Sequence, residues 1–193
     1  RPDCRAPFVG RWHLAMKLAP RDAQAFFKRP DPQGAGCLIF GEDGVRVAQF
    51  RRQLLDALLG PAAEEEMRLT RLAAAELRSD GAALNDAIKA VGFFPGPRAV
   101  YVEGATDGLA PAMRAALEDW APGDAQVIVT AGVLTKRSAL RKTFEDAKHA
   151  RAAAIYDDPP GRAEIEEALA AAGLRDVPRD TMQDLEALAR SLN

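Results

Sequence analysis

The chain has 193 residues, of which 48% are hydrophobic and 28% are charged, a composition typical of a folded globular protein. Its formal net charge of −2 excludes a surface that is basic throughout, so wholesale binding of nucleic acid is not expected. Cys4 and Cys37 are too few for a disulfide framework or a zinc site, and no apolar run is long enough to cross a membrane. These properties favour a reduced, cytoplasmic setting.

The first residues resemble neither a signal nor a domain. Residues 1–15 contain three arginines but no central apolar stretch, so they do not form a secretory signal. Met16 suits an initiator methionine, and residues 1–15 are therefore interpreted as an upstream extension.

The next stretch predicts a helix, a strand and a second helix. Helix formers in Pro20–Lys28 precede Pro30, which ends the first helix. The continuous apolar run Gly36–Phe40 predicts a strand buried on both faces. A turn at 41–44 follows, and the apolar stripe within Val45–Leu59 predicts the second helix.

Strands and helices continue to alternate along the rest of the domain. The remaining predicted elements are a strand at Met67–Leu72, a short helix at Ala73–Leu77, a helix at Ala83–Val91, a strand at Arg98–Glu103, a helix at Leu109–Trp120, a strand at Gln126–Ala131, a helix at Thr135–His149 and a weak strand at Ala152–Tyr156. Five strands alternating with helices predict an α/β fold with a parallel sheet covered on both faces.

A turn-forming sequence, DDPPG at 157–161, marks the end of this α/β domain, which is predicted to span 16–158. Residues 159–193 are predicted to be purely helical, with helices at Arg162–Ala172 and Thr181–Leu192. Two helices bury too little surface to form a core alone, so this segment is interpreted as a docked or incomplete second domain.

The turn after the first buried strand is where an α/β protein of this pattern would hold phosphate. A phosphate loop needs several glycines followed by a Lys-Ser/Thr pair, and the sequence FGEDGVR at 40–46 has neither the lysine nor the hydroxyl. Nucleotide hydrolysis is therefore not expected. His13 and His149 accompany no nucleophile, so the sequence predicts no catalytic set, no metal and no cofactor.

Two further features each allow two interpretations. The adjacent Phe93 and Phe94, which lie between Gly92 and the rigid Pro-Gly-Pro turn at 95–97, could pack in the core or form a displayed tip. The basic residues Arg137, Arg141 and Lys148, predicted to line one side of a helix, suit either a solvated face or a contact with a neighbouring subunit or nucleic-acid backbone.

Four segments, taken in order, resemble the delta subunits of the bacterial DNA polymerase III clamp loader, and the resemblance extends over about residues 17–193. They are AFFKRPDP at 25–32, CLIFGEDG at 37–44, ALNDAIKAVGFFPGPRAVYVEG at 83–104 and VLTKRSALRKTFEDAKHARAAAIYDD at 133–158. The resemblance implies an AAA+-type domain, related to phosphate-loop NTPases, with a five-stranded parallel sheet followed by the start of a small helical lid.

The resemblance also implies a role in DNA replication, as a subunit of a DNA-directed DNA polymerase (nucleotidyltransferase) holoenzyme that does not itself hydrolyse ATP. In this family a hydrophobic tip enters a pocket on the beta sliding clamp and favours the open ring. Carried over by position, the tip falls on Val91, Phe93 and Phe94, with Arg98 opening the next strand. The Pro-Gly-Pro turn departs from the family pattern, which has a further arginine. Delta-prime and tau/gamma subunits are the other implied partners, and contact with DNA is indirect.

Two alternatives stay open beside this interpretation. One is a divergent ATP-binding AAA+ enzyme, which the missing Lys-Ser/Thr pair disfavours. The other is a delta-prime or tau-type clamp-loader subunit, which would carry a zinc-binding cysteine cluster that Cys4 and Cys37 cannot make.

Overall fold

The computed structural model describes residues 17–18, 20–155, 162–174 and 177–191. The chain divides into two compact units, the first ending at Ile155 and the second beginning at Tyr156. The predicted extension over 1–15 and the predicted domain boundary after Asp158 lie outside the described residues.

A parallel sheet forms the centre of the first unit. Its strands are β1 (Lys17–Leu18), β2 (Gly36–Gly41), β3 (Leu69–Ala73), β4 (Ala99–Glu103), β5 (Gln126–Ala131) and β6 (Ala150–Ile155). They lie in the order β1-β6-β2-β5-β4-β3, and every neighbouring pair is parallel. The five predicted strands are thereby confirmed, with a two-residue strand added at one edge.

The last strand differs from its prediction. The sequence predicts a weak strand at Ala152–Tyr156, whereas β6 begins at Ala150 and is buried along its whole length. It is buried because it lies inside the sheet, paired with β2 on one side and β1 on the other. Alanines dominate it because small side chains suffice between closely packed helices and the sheet.

Helices cover both faces of the sheet, as predicted. Those of the first unit are α1 (Pro20–Lys28), α2 (Gly44–Leu59), α3 (Ala74–Ser79), α4 (Ala82–Lys89), α5 (Ala110–Asp119) and α6 (Ala139–Asp146). Side chains of α1 and α2 share one hydrophobic core with the sheet, and those of α3, α4, α5 and α6 share a second core on the opposite face.

Helices α6 and α4 depart from their predicted bounds in ways that bear on the candidate residues. Helix α6 covers only Ala139–Asp146 of the predicted Thr135–His149. The Ser138 hydroxyl accepts a hydrogen bond from the Arg141 amide and caps the helix start, and Ala147, with a ψ of 129°, is already extended. Helix α4 ends at Lys89 because Ala90 adopts an extended ψ of 133°. Val91 therefore lies outside the helix that the sequence assigns to it.

The described part of the second unit contains helices α7 (Arg162–Ala171) and α8 (Arg179–Ser191). Arg162 forms an ion pair with Glu166 at 2.8 Å and lies 4.0 Å from Glu186, so one guanidinium serves both helices. Across both units, none of the described helices combines the length and the apolarity that a membrane span requires.

Candidate protein-binding site

The segment 90–98, here called the tip loop, connects α4 to β4. Because the strands are parallel, their amino-terminal ends all lie at the same end of the sheet. The tip loop leads into β4, so it lies at that amino-terminal end, between the chain segments that lead into the neighbouring strands β3 and β5. The turn after β2 lies at the opposite, carboxyl-terminal end of the sheet.

Three large apolar side chains of the tip loop are at the surface. Val91 is 95% exposed, Phe93 is 90% exposed and Phe94 is 37% exposed. The two phenylalanine rings contact each other edge to face, with centroids 5.3 Å apart at an angle of 78°. Single exposed apolar residues are common on proteins, but three within four consecutive residues are a concentration of the kind found at interaction sites.

Two arginines hold the backbone of the tip loop: Arg98 at its end and Arg68 before β3. Arg98 donates one hydrogen bond to the carbonyl of Ala90 and a second, of 3.0 Å, to the carbonyl of Gly123. Arg68, which is buried and paired with Glu66 at 2.6 Å, donates to the carbonyl of Pro97 at 3.1 Å. The loop is therefore closed upon itself by one arginine and fixed to the start of β3 by the other.

The two glycines of the loop are needed for these contacts. A Cβ at Gly92 would lie 2.7 Å from the Cδ of Arg98, so any larger residue would displace that side chain. Gly96 has a φ of +123°, which L-amino acids with a side chain rarely adopt, and it passes over the guanidinium of Arg68. The shape of the Pro-Gly-Pro turn is thus matched to the arginine beneath it.

The turn between β2 and α2 contains only Glu42 and Asp43. An Asp43 carboxylate oxygen accepts hydrogen bonds from the amides of Val45 at 2.8 Å and Arg46 at 3.1 Å, so it occupies the donors that a phosphate would use. Just before this turn, Gly41 at the end of β2 lies close to its paired residue Ile155 in β6, since a Cβ at Gly41 would be 2.4 Å from the Ile155 carbonyl oxygen. The amides of Val45 and Arg46 are therefore already engaged within the turn.

The predicted basic stripe is not a stripe, which corrects the sequence interpretation. Arg137 precedes α6 and Lys148 follows it, and both are exposed. Arg141 is buried within α6, where it pairs with Glu145 at 2.8 Å and lies over the Phe40 ring, 5.2 Å from the centroid. The three side chains therefore do not share one helix face, because Arg141 serves the packing between α6 and β2.

Sequence reasoning missed Arg68, whose partner Pro97 is 29 residues away. No local pattern could have identified it, because an arginine before an edge strand ordinarily faces solvent. The described residues also contain no cluster of histidine, cysteine, aspartate and glutamate side chains able to hold a metal ion.

The strand order β6-β2-β5-β4-β3, with helices on both faces, makes this an α/β fold with a parallel sheet. The chain is similar in structure to the Bacillus subtilis DNA clamp loader delta protein, with a TM-score of 0.57, 15% sequence identity and 88% of this chain covered. The match covers 51% of that protein, so the chain spans about half its length. At this identity the likeness is one of fold.

Weaker structural matches are a Thermotoga maritima DNA polymerase III gamma subunit-related protein and Thermotoga maritima RuvB. The first has a TM-score of 0.47 and 17% identity over 88% of this chain and 58% of its own. The second has a TM-score of 0.44 and 15% identity over 86% of this chain and 52% of its own. No family model matches the chain, and no curated protein has significant sequence similarity to it.

Proposed function

We propose that the chain is the clamp-binding part of a clamp-loader delta subunit, and that Val91, Phe93 and Phe94 insert into a hydrophobic pocket of the beta sliding clamp. The observation that carries this proposal is the exposure of Val91 and Phe93, 95% and 90%, on a loop that is held from both sides. The fold shared with the Bacillus subtilis delta protein supports it.

Binding of this kind depends on few residues. Exposed aromatic side chains that become buried in a partner pocket typically contribute about 2 kcal/mol or more each. The tip then favours ring opening if it binds the open ring more tightly than the closed one, because a ligand shifts an equilibrium only by its differential affinity. No covalent chemistry by this chain is required.

The proposal includes that the chain does not hydrolyse ATP. Its support is the short turn after β2, where the Asp43 carboxylate already accepts from the amides of Val45 and Arg46. ATP would then act on other subunits of a cytoplasmic loader, of delta-prime and tau/gamma type, within the replicative polymerase holoenzyme. Contact with DNA would be made through that assembly, and the exposed Arg137 and Lys148 remain candidates for a subunit or DNA contact.

The test is surface plasmon resonance with the immobilised sliding clamp of the organism that encodes the chain. Phe93→Ala combined with Phe94→Ala should abolish binding, and Val91→Ala should weaken it. Phe93 is almost fully exposed, so its loss should leave the thermal midpoint nearly unchanged. Phe94 is partly covered, so the double variant should lose only a small part of its stability.

A matched control is available on the same domain. Val133 is 69% exposed, it follows β5 at the opposite end of the sheet, and Val133→Ala removes the same atoms as Val91→Ala. Normal clamp binding by the double phenylalanine variant, or an equal loss of binding in Val133→Ala, would contradict the proposed role of the tip.

A further inference from the structure

We infer that Arg98 and the Lys89–Asp124 ion pair are positioning residues, which hold the tip loop in its binding conformation before the partner arrives. The identity of the partner rests on the proposed function. The order of the loop does not, since it is a property of the free chain and is measured there.

The first observation is that the tip loop has little packing of its own. Val91 and Phe93 are almost entirely exposed, so neither side chain holds the loop through the core. Backbone entropy favours disorder in such a segment by about 1 kcal/mol or more per residue. Its conformation therefore depends largely on the hydrogen bonds made at its two ends.

Lys89, the residue just before the tip loop, is hydrogen-bonded to the turn that precedes β5. Lys89, the last residue of α4, donates from Nζ to the carbonyl of Asp119 at 2.6 Å and to Oδ2 of Asp124 at 2.8 Å. The Asp119 carboxylate lies 3.1 Å from the same ammonium group. The end of α4 is thus fixed to the segment 119–124.

Arg98, the last residue of the tip loop, is hydrogen-bonded to the same turn. Arg98 donates to the carbonyl of Gly123, and its other terminal nitrogen donates to the carbonyl of Ala90, eight residues back. The turn is itself closed by Asp124, whose Oδ2 accepts from the amide of Ala121 at 2.8 Å. Both ends of the tip loop are therefore bonded to the same turn, 119–124.

The charges of this network reinforce one another. Burial raises the pKa of Asp124, but hydrogen bonds from Lys89 and the Ala121 amide outweigh burial and keep the pKa below its ordinary value. The hydrogen bond to Asp124 raises the pKa of Lys89. Both groups are charged at neutral pH, so the anchor is intact under the conditions in which the loop would bind.

Pre-ordering of a loop affects binding in a characteristic way. If only a fraction of the molecules hold the competent conformation, the apparent dissociation constant rises by the inverse of that fraction. The loss is in the association rate, because the complex, once formed, makes the same contacts. Removal of a contacting side chain instead speeds dissociation.

The experiment compares Arg98→Gln and Asp124→Asn with the unaltered 193-residue chain by nuclear magnetic resonance relaxation. The backbone amides observed are those of Gly92, Phe93, Phe94 and Gly96. We expect their order parameters to fall from about 0.85 to below about 0.6 in both variants, while those of β4 and β5 stay unchanged. The control is Arg52→Gln, which breaks an exposed ion pair with Asp56 on α2.

The second measurement is the kinetics of binding to the sliding clamp. Arg98→Gln should lower the association rate constant about tenfold and leave the dissociation rate constant unchanged. Phe93→Ala should instead raise the dissociation rate constant and leave the association rate constant nearly unchanged. Arg98→Lys retains the charge but not the two-pronged donor, so it should restore little of the association rate.

The outcomes separate this inference from the proposed function. If the unaltered chain fails to bind the clamp, the proposed function fails, and the relaxation data still decide the role of the anchor. Unchanged order parameters in folded Arg98→Gln and Asp124→Asn would overturn the inference even if clamp binding is strong. If Arg98→Gln does not fold, Asp124→Asn, which removes the charge and one acceptor oxygen at nearly constant size, decides the question alone.

Discussion

The carboxylate of Asp107 accepts a hydrogen bond from the hydroxyl of Ser138, 31 residues further along the chain. The same oxygen accepts from the amide of Leu140 at 3.1 Å. Asp107 begins a 3-10 turn, Asp107–Leu109, that follows β4, while Ser138 and Leu140 form the start of α6. One side chain thus caps a helix from a different part of the chain and joins the segments that follow β4 and β5.

We expect Asp107→Ala to lower the free energy of unfolding by about 1 kcal/mol, the usual effect of removing a helix cap. Asp107 is exposed, and solvent screening keeps the effect modest. Its pKa is lowered, first by the Ser138 hydroxyl and then by the Leu140 amide. The contribution is therefore present above the unfolded pKa of about 3.9 and is lost as the pH falls through the lower folded value.

Urea unfolding of both proteins at a series of pH values checks this expectation. The difference between them should be constant from about pH 5 to pH 8 and should shrink below about pH 4. Glu118→Ala, on the exposed side of α5, serves as the control and should change stability by less than about 0.5 kcal/mol. A difference that persists undiminished at low pH would show that Asp107 does not act as an ionised cap.

We expect Mg-ATP to leave the thermal midpoint of the chain unchanged. A ligand at a hundred times its dissociation constant stabilises a protein by about 2.7 kcal/mol, so even binding of about 10 μM would raise the midpoint clearly at about 1 mM nucleotide. Here the amides of Val45 and Arg46 are occupied by Asp43. Differential scanning fluorimetry with and without Mg-ATP makes the measurement, and a saturable rise would restore the ATP-binding alternative.

Gly41 and Gly44, which bracket the turn after β2, should differ sharply when each is replaced by alanine. A Cβ at Gly41 would lie 2.4 Å from the backbone oxygen of Ile155, whereas nothing lies within 4 Å of one at Gly44. We expect Gly41→Ala to lower the free energy of unfolding by about 2 kcal/mol, through forced separation of β2 and β6. Gly44→Ala, at the first residue of α2, should be neutral or stabilising by up to about 0.5 kcal/mol.

Chemical denaturation of the two alanine variants provides the comparison. Each variant adds the same methyl group, and the two positions are only a few residues apart. A difference between their free energies of unfolding therefore reflects the space around each glycine and not the type of substitution. Equal stabilities would mean that the backbone of Ile155 does not crowd Gly41 at the end of β2.

The sequence by itself determined the elements and their general arrangement. The apolar run at Gly36–Phe40 predicted a buried strand, the segment Gln126–Ala131 predicted a further strand, and the alternation with helices predicted a parallel sheet covered on both faces. These predictions succeeded because periodicity and apolar runs report how each segment is buried, which is a local property. The aromatic pair Phe93–Phe94 was also conspicuous in the sequence, although its burial was left open.

Only the tertiary structure decided which groups the arginine side chains contact. Arg98 reaches Gly123, and Arg68 reaches Pro97, because the order of the strands sets the segments leading into β3, β4 and β5 side by side. Arg141, which a helical pattern assigned to a basic face, is instead buried over Phe40. Contacts between residues this far apart depend on the order of the strands and on where helices end. The local sequence around each residue predicts neither.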